Sequence, residues 1–286
     1  MLDLLLAIPY PKIDPVAISI GPVAVRWYAL AYVAGLVFAW WHVRQIAQHR
    51  VAGKPIMAKK DVDDLLFWVT FGVVLGGRLG YVLFYKPGYY IEHLDEVLSL
   101  WKGGMSFHGG LIGVVLAMAW LSRSRKLRML SVLDLGGAAT PIGLFLGRMA
   151  NFINGELWGR ASDVPWAMVF PNDPDQVPRH PSQLYQGFLE GLVLFAFLWI
   201  MRKRTDALSR PGEICGWFCA GYGVARIVGE FFREPDRHLG YLLGPITMGM
   251  VLSLPLVVIG LFFVWRARKR AANFVPPLPL GERGKG

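Results

Sequence analysis

The chain has 286 residues, of which 54% are hydrophobic and only 17% charged. A water-soluble domain carries about a quarter charged residues, so one or two ordinary soluble domains are excluded. The net charge of +10 does not indicate a nucleic-acid partner, because the basic residues fall in short blocks between apolar runs.

In chain order, the first 15 residues, MLDLLLAIPYPKIDP, lack the basic opening and unbroken apolar stretch of a signal peptide. Seven stretches then approach the roughly 20 apolar residues that cross a bilayer as a helix. They lie at about 20–41, 63–85, 106–122, 132–151, 184–201, 212–232 and 245–265. The expected fold is all-α: one membrane helix bundle over residues 1–270, followed by a disordered Pro- and Gly-rich tail at 271–286. The longest connection, 152–183, holds five prolines and two tryptophans and reads as a small irregular or partly stranded head. Cys215 and Cys219, four apart in an apolar run, read as small core residues.

Lys and Arg in the connections set the orientation. One set, after the odd-numbered stretches, carries 19 of them, and the opposite set carries 7. That split places the C-terminus in the cytoplasm and the N-terminus and head outside.

An ionisable side chain within a span is costly and marks a functional site by default. Arg26, Arg78, Arg148 and Arg226 are such residues. The alternating topology puts all four, with His108, in the outer half. Arg26 is equally well explained by snorkelling to the headgroups. Arg78 sits among Gly76, Gly77 and Gly80, which favour close helix approach. Tyr222, Arg226, Glu230 and Arg233 form one helical stripe. Arg226 and Glu230 also suit a plain i,i+4 ion pair. Several guanidinium groups at one depth suit an anionic lipid headgroup, since Arg binds phosphate bidentately.

The run GRMANFINGELWG at 147–159 resembles the signature of the prolipoprotein diacylglyceryl transferases through Gly147, Arg148, Asn151, Phe152, Asn154, Glu156 and Gly159. GGRLGY at 76–81, SFHGGLIG at 106–113, RHPSQLY at 179–185, GYGVARIVGEFFREPD at 221–236 and IGPVAVRWYAL at 20–30 resemble the same family. The likeness runs from about residue 14 to 265; Gln186 departs from it, standing where an acidic residue is expected.

The resemblance implies transfer of diacylglyceryl from phosphatidylglycerol to the lipobox cysteine of prolipoprotein signal peptides, with glycerol phosphate leaving. The setting is the bacterial inner membrane, with the site toward the periplasm. It implies His108 as base, although a headgroup-orienting role stays open. Arg148 and Arg233 are the phosphate clamps, with Arg78 and Arg226 as second choices. Asn151 and Asn154 hydrogen-bond the glycerol or brace Arg148, and Glu156 holds an arginine or acts as a base. Tyr28 and Gly159 complete the expected site; His180 is evenly placed between substrate contact and an inert loop position. No cofactor or metal is implied, since neither ligand spacing nor a nucleotide loop is present. Without the motifs, an anionic-lipid-binding transporter is the alternative. Its usual paired repeats are not seen here.

Overall fold

A computed structural model describes residues 8–51, 53–235 and 241–273. Seven long helices lie where the seven apolar stretches fall: α1 (Trp27–Ile46), α2 (Lys59–Tyr85), α4 (Phe107–Ser124), α5 (Met129–Ile153), α6 (Ser182–Arg204), α7 (Glu213–Glu230) and α8 (Met248–Ala272). The short α3 (Pro87–Glu92) follows α2. Among the described residues, α2, α5, α6 and α8 are long and apolar enough to cross a membrane. The bundle is predominantly helical, and its perimeter is apolar: Phe84 is 77% exposed, Leu116 62% and Val258 62%. Surfaces of that kind belong against hydrocarbon. The tail expected from residue 271 begins within the last turn of α8, and 274–286 lie outside the described residues.

Two features correct the expected all-α outline. Residues 20–26 are not the start of the first helix. Val16–Ile20 (β1) and Val23–Arg26 (β2) form an antiparallel hairpin, turned at Gly21 in the left-handed region. Arg26 is thus the exposed residue capping the start of α1 rather than a residue within the helix. Second, three further two-stranded ribbons occur among the described residues; the one in the head, Met168–Val169 with Pro178–Arg179, fits the partly stranded head expected there, and the other two lie outside it.

Helix pairing follows glycine placement. Gly72, Gly76 and Gly80 on α2 meet Gly109 and Gly113 on α4 backbone to backbone. A Cβ on Gly80 would sit 2.7 Å from Gly109 Cα, and one on Gly76 2.9 Å from Gly113 Cα. In a bilayer, where burial of apolar groups gives no drive, close backbone contact of this kind supplies the packing energy. Gly216 and Gly223 on α7 play the same part against α8. Helix α5 is central and touches α1, α4, α6 and α7.

Antiparallel neighbours bring the C-terminal ends of α2, α5 and α7 beside the N-terminal ends of α1 and α4. The polar groups foreseen in the sequence therefore gather at one end of the bundle. The opposite end carries ion pairs of a different kind: Arg44–Asp63 at 3.2 Å, Arg125–Asp64 at 2.6 Å and Arg268–Glu213 at 2.9 Å. There, Asp134 on α5 accepts from Gly212 and Cys215 N–H (2.7 and 2.8 Å), capping α7 from a neighbouring helix.

Arg78 has a structural job. It is fully buried, and its guanidinium donates to the carbonyls of Val97 (2.7 Å), Glu96 (2.8 Å), Gly104 (3.3 Å) and Gly103, with Tyr90 stacked at 5.2 Å. One side chain thereby satisfies the turn that links α3 to α4. Its donors are committed to protein carbonyls, which corrects its expected place among the headgroup ligands. Arg78→Leu removes all four bonds and leaves the Val97, Gly103 and Gly104 carbonyls without that donor, at about 1–3 kcal/mol for each one shielded from water. Loss of folded protein in a detergent thermal melt checks this; an unchanged melting temperature refutes it.

Candidate active site

A cavity of about 540 Å³ runs along the inside of the bundle. Its apolar length is lined by Leu36, Val43, Leu65, Val69, Val114 and Met118, among others. One end is polar, with Tyr28, Arg148, Asn151 and Tyr222. An elongated apolar chamber with guanidinium at its mouth fits a lipid: the tails in hydrocarbon-like surroundings and the phosphate at the cation.

Arg148 is the pivot. It comes from the last turns of α5, and its Nη2 and Nε meet Glu190 Oε2 at 3.0 and 3.3 Å. Glu190 is completely buried and also faces Arg226 Nη1 at 3.9 Å. Arg226 Nη2 lies 2.6 Å from Glu230 Oε1, and Glu230 Oε1 in turn lies 3.3 Å from Arg233 Nη1. Alternating charges thus run Arg148, Glu190, Arg226, Glu230, Arg233, from the cavity mouth to the base of the head. Thr247 Oγ1 donates to Glu230 Oε2 at 2.6 Å, and Arg160 donates to the carbonyls of Arg233 and Glu230 at 3.1 and 3.0 Å. Buried charges persist only when paired and hydrogen-bonded in this way.

The structure joins Arg148, Arg226 and Arg233 in one network, with Asn151 and Tyr28 beside the same cavity. Arg233 is neither an exposed charge nor a lining residue of the cavity; it is 8% exposed and is joined to Arg148 through the intervening pairs. Among the described residues, Glu156 holds no arginine. It accepts from Asn151 Nδ2 (2.8 Å) and Asn154 Nδ2 (3.4 Å), so the two amides brace Glu156 rather than Arg148. Gln183 Nε2 bonds the Glu156 carbonyl at 2.6 Å, tying this turn to α6. Gly159 pairs with Arg233 as a β-bridge, and a Cβ there would lie 2.6 Å from the His180 carbonyl. Glycine at 159 therefore permits the strand contact with Arg233.

His108 stands apart. It is exposed on α4, on the face shared with Leu111, Ile112 and Val115, and has no polar partner among the described residues. Its ring contacts Phe107, which does line the cavity. The imidazole thus faces the surroundings of the bundle one position from the chamber, separate from the arginine network.

His180 sits in the head against Phe232 (5.4 Å) with Nδ1 at 3.2 Å from Tyr185 Oη. The neighbouring Arg179 is 4% exposed and pairs with Asp173 at 2.6 Å, Asp175 at 2.7 Å and Glu234 at 3.4 Å, so this strand organises the head. Burial lowers the His180 pKa below the usual imidazole range. A depressed folded pKa means that the unfolded chain binds the proton more readily, so stability is full above about pH 6.5 and declines as pH falls below it. The melting temperature should drop on acidification from pH 7 to 5, less steeply in His180→Gln. Equal slopes in both proteins would refute this role.

Glu190 escaped the sequence reading, which followed arginines. The signal was present: a carboxylate in the apolar run GFLEGLV. Residues Gly187–Val193 form a π-helical segment, a local widening that often marks functional sites.

The fold and this site define a multi-pass membrane protein whose apolar cavity ends at a guanidinium held in a buried charge network. The chain belongs to the prolipoprotein diacylglyceryl transferase family, whose model matches residues 15–266. It is 53% identical over 271 residues to the phosphatidylglycerol–prolipoprotein diacylglyceryl transferases of Bradyrhizobium diazoefficiens and of Brucella anthropi, covering 93% of this chain and 96% of each relative. The enzyme of that name from Brucella canis matches to the same extent. Membership makes the chain a membrane transferase of lipoprotein biosynthesis.

Proposed function

We propose that the chain transfers the diacylglyceryl group of phosphatidylglycerol to the lipobox cysteine of a prolipoprotein signal peptide. The observation that carries this reading is Arg148, which lines the lipid-shaped cavity and heads the buried charge network. The acyl chains lie along the apolar length. The phosphodiester meets Arg148, whose Nε and Nη2 are engaged by Glu190 while Nη1 has no partner among the described residues. Glu190 fixes the guanidinium plane, so the donor is already oriented when charge develops on the phosphate.

The thiol sulfur attacks the glyceryl carbon bearing the phosphate ester. The C–S bond forms, the C–O bond breaks, and glycerol phosphate leaves with the bonding pair. The thiol proton passes to His108, whose exposed face meets a signal helix arriving sideways through the lipid. Deprotonation is needed because the thiolate is the nucleophile. Tyr28 and Asn151, at the polar end of the cavity, orient the headgroup. The polar and charged groups beyond them, Glu156, Asn154, Arg226 and Arg233, hold this end in shape.

We also place all seven long helices across the bacterial inner membrane, with the C-terminus cytoplasmic and the site periplasmic. The 19-to-7 distribution of Lys and Arg supports this orientation. The far end of the cavity is apolar, at Val62, Leu65 and Leu66, which favours an enzyme open at one end over a transporter needing a polar path through. The test is a product assay. Purified chain in phosphatidylglycerol vesicles should convert a lipobox peptide to its thioether and release one glycerol phosphate per peptide. Absence of both products overturns the reading.

A further inference from the structure

At the end of the bundle away from the cavity mouth, α1 and α6 meet through rings. Phe38 and His42 of α1 lie 5.6 and 5.4 Å from Phe195 of α6, and His42 stacks on Phe38 at 5.5 Å. His42 is 6% exposed, yet its imidazole has no hydrogen-bond partner among the described residues. Arg202 follows Phe195 by seven residues and so shares its face of α6. Its charge reaches His42. Arg202 is half-buried, its Nε is sealed without a partner, and no carboxylate pairs with it among the described residues. Other arginines at this end differ: Arg44 pairs with Asp63, and Arg210 and Arg268 pair with Glu213. Buried polar groups are rarely left unpaired in a folded chain, so an imidazole and a guanidinium without partners call for an anion that accepts from both.

Depth shows what carries that anion. Trp41, beside His42, and Trp199, just before Arg202, are both exposed, and Lys203 Nζ lies over the Trp199 ring at 5.9 Å. Exposed tryptophans followed by basic residues mark the boundary between hydrocarbon and headgroups. A helical side chain leans toward the N-terminus of its helix, which brings the Arg202 guanidinium back toward that boundary. In the orientation proposed above, this is the cytoplasmic leaflet, where basic sites between membrane helices take anionic headgroups. We infer that Arg202 and His42 form a binding site for the phosphate of an anionic phospholipid in the cytoplasmic leaflet, seated on the α1–α6 seam. The guanidinium holds the phosphate through its Nη atoms, and the imidazole N–H donates to it. The acyl chains lie along the exposed stripe Trp41, Val37 and Val33 of α1. Glu190, which holds Arg148, is twelve residues earlier on α6, about 18 Å along the axis, so this site is separate from the cavity mouth.

The inference does not depend on the transfer reaction. The test uses full-length chain carrying Arg148→Ala, which removes the cation at the cavity mouth, in phosphatidylcholine nanodiscs with a rising fraction of phosphatidic acid. The melting temperature should climb to a plateau. Adding Arg202→Gln should raise the half-effect fraction about tenfold, the worth of one charge-assisted hydrogen bond. Lys203→Gln removes the same charge from the next position and should change it far less. His42→Phe should melt higher in pure phosphatidylcholine, since an unpaired imidazole has gone, and should also weaken the lipid effect. Equal losses from Arg202→Gln and Lys203→Gln would reduce the effect to surface charge and overturn the site, as would a full lipid effect in His42→Phe. A matching shift from inorganic phosphate in pure phosphatidylcholine would overturn the lipid in favour of a soluble anion.

Discussion

Arg148→Ala should reduce diacylglyceryl transfer by at least about 100-fold, the usual loss when one preorganised donor to a developing oxyanion is removed. The geometry makes this side chain hard to replace. It connects the cavity to the buried charge network through two bonds to Glu190. Arg148→Lys keeps the charge but cannot hold Glu190 with two nitrogens and offer a third to phosphate, so its rate should also fall well below wild type. The lysine variant leaves Glu190 with a cation and so separates catalysis from folding. Arg226 Nη1 stands 3.9 Å from Glu190, which limits the disruption when Arg148 is truncated. Thioether formation by purified variants in phosphatidylglycerol vesicles is the measurement. Wild-type rates from Arg148→Ala would remove the phosphate clamp from the mechanism.

His108→Gln should cost about 10²–10⁴-fold at neutral pH, the range for a lost general base. Folding should be unaffected, because the side chain is exposed and bonds no polar group among the described residues. The decisive readout is the pH profile. A free thiol ionises near pH 8.5, so solvent supplies thiolate as the pH rises. The deficit of His108→Gln should therefore shrink steadily between about pH 7 and 9. A deficit that stays constant over this range would instead assign His108 to headgroup orientation, and a full neutral-pH rate would exclude it from the reaction.

Removing charges from the network should not give additive effects. Arg226 and Arg233 share Glu230 Oε1, and Arg226 and Arg148 share Glu190. Neighbours in one network couple, so a double variant at Arg148 and Arg226 is expected to lose less than the sum of the single losses.

The composition and spacing of the chain determine much of this molecule. The apolar runs become long helices, four of them among the described residues long and apolar enough to cross a membrane, because a segment in hydrocarbon must satisfy its own backbone and only a helix does so locally. Glycines at 72, 76, 80, 109 and 113 mark the α2–α4 contact, since the absence of side chains is itself the packing signal. Costly arginines in apolar runs flag the working end, and the motif around Arg148 identifies the family. The β1–β2 hairpin was obscured by hydropathy: VAISIGPVAV is apolar enough to read as helix, although its Gly-Pro turn between β-branched residues signals a hairpin.

Only the tertiary structure decides what each charge does. Arg78 and Arg148 look alike in sequence, each an arginine beside glycine near the end of an apolar run. One is sealed against four carbonyls, while the other lines the cavity, because the partner of a buried guanidinium comes from a distant part of the chain. Glu190 lies 42 residues from Arg148, and Gln186 faces α7 across a helix seam. Side-chain type sets what a group can bind, but the fold alone chooses whether protein, lipid or nothing else meets it, and an unpaired buried imidazole becomes visible only once its surroundings are built.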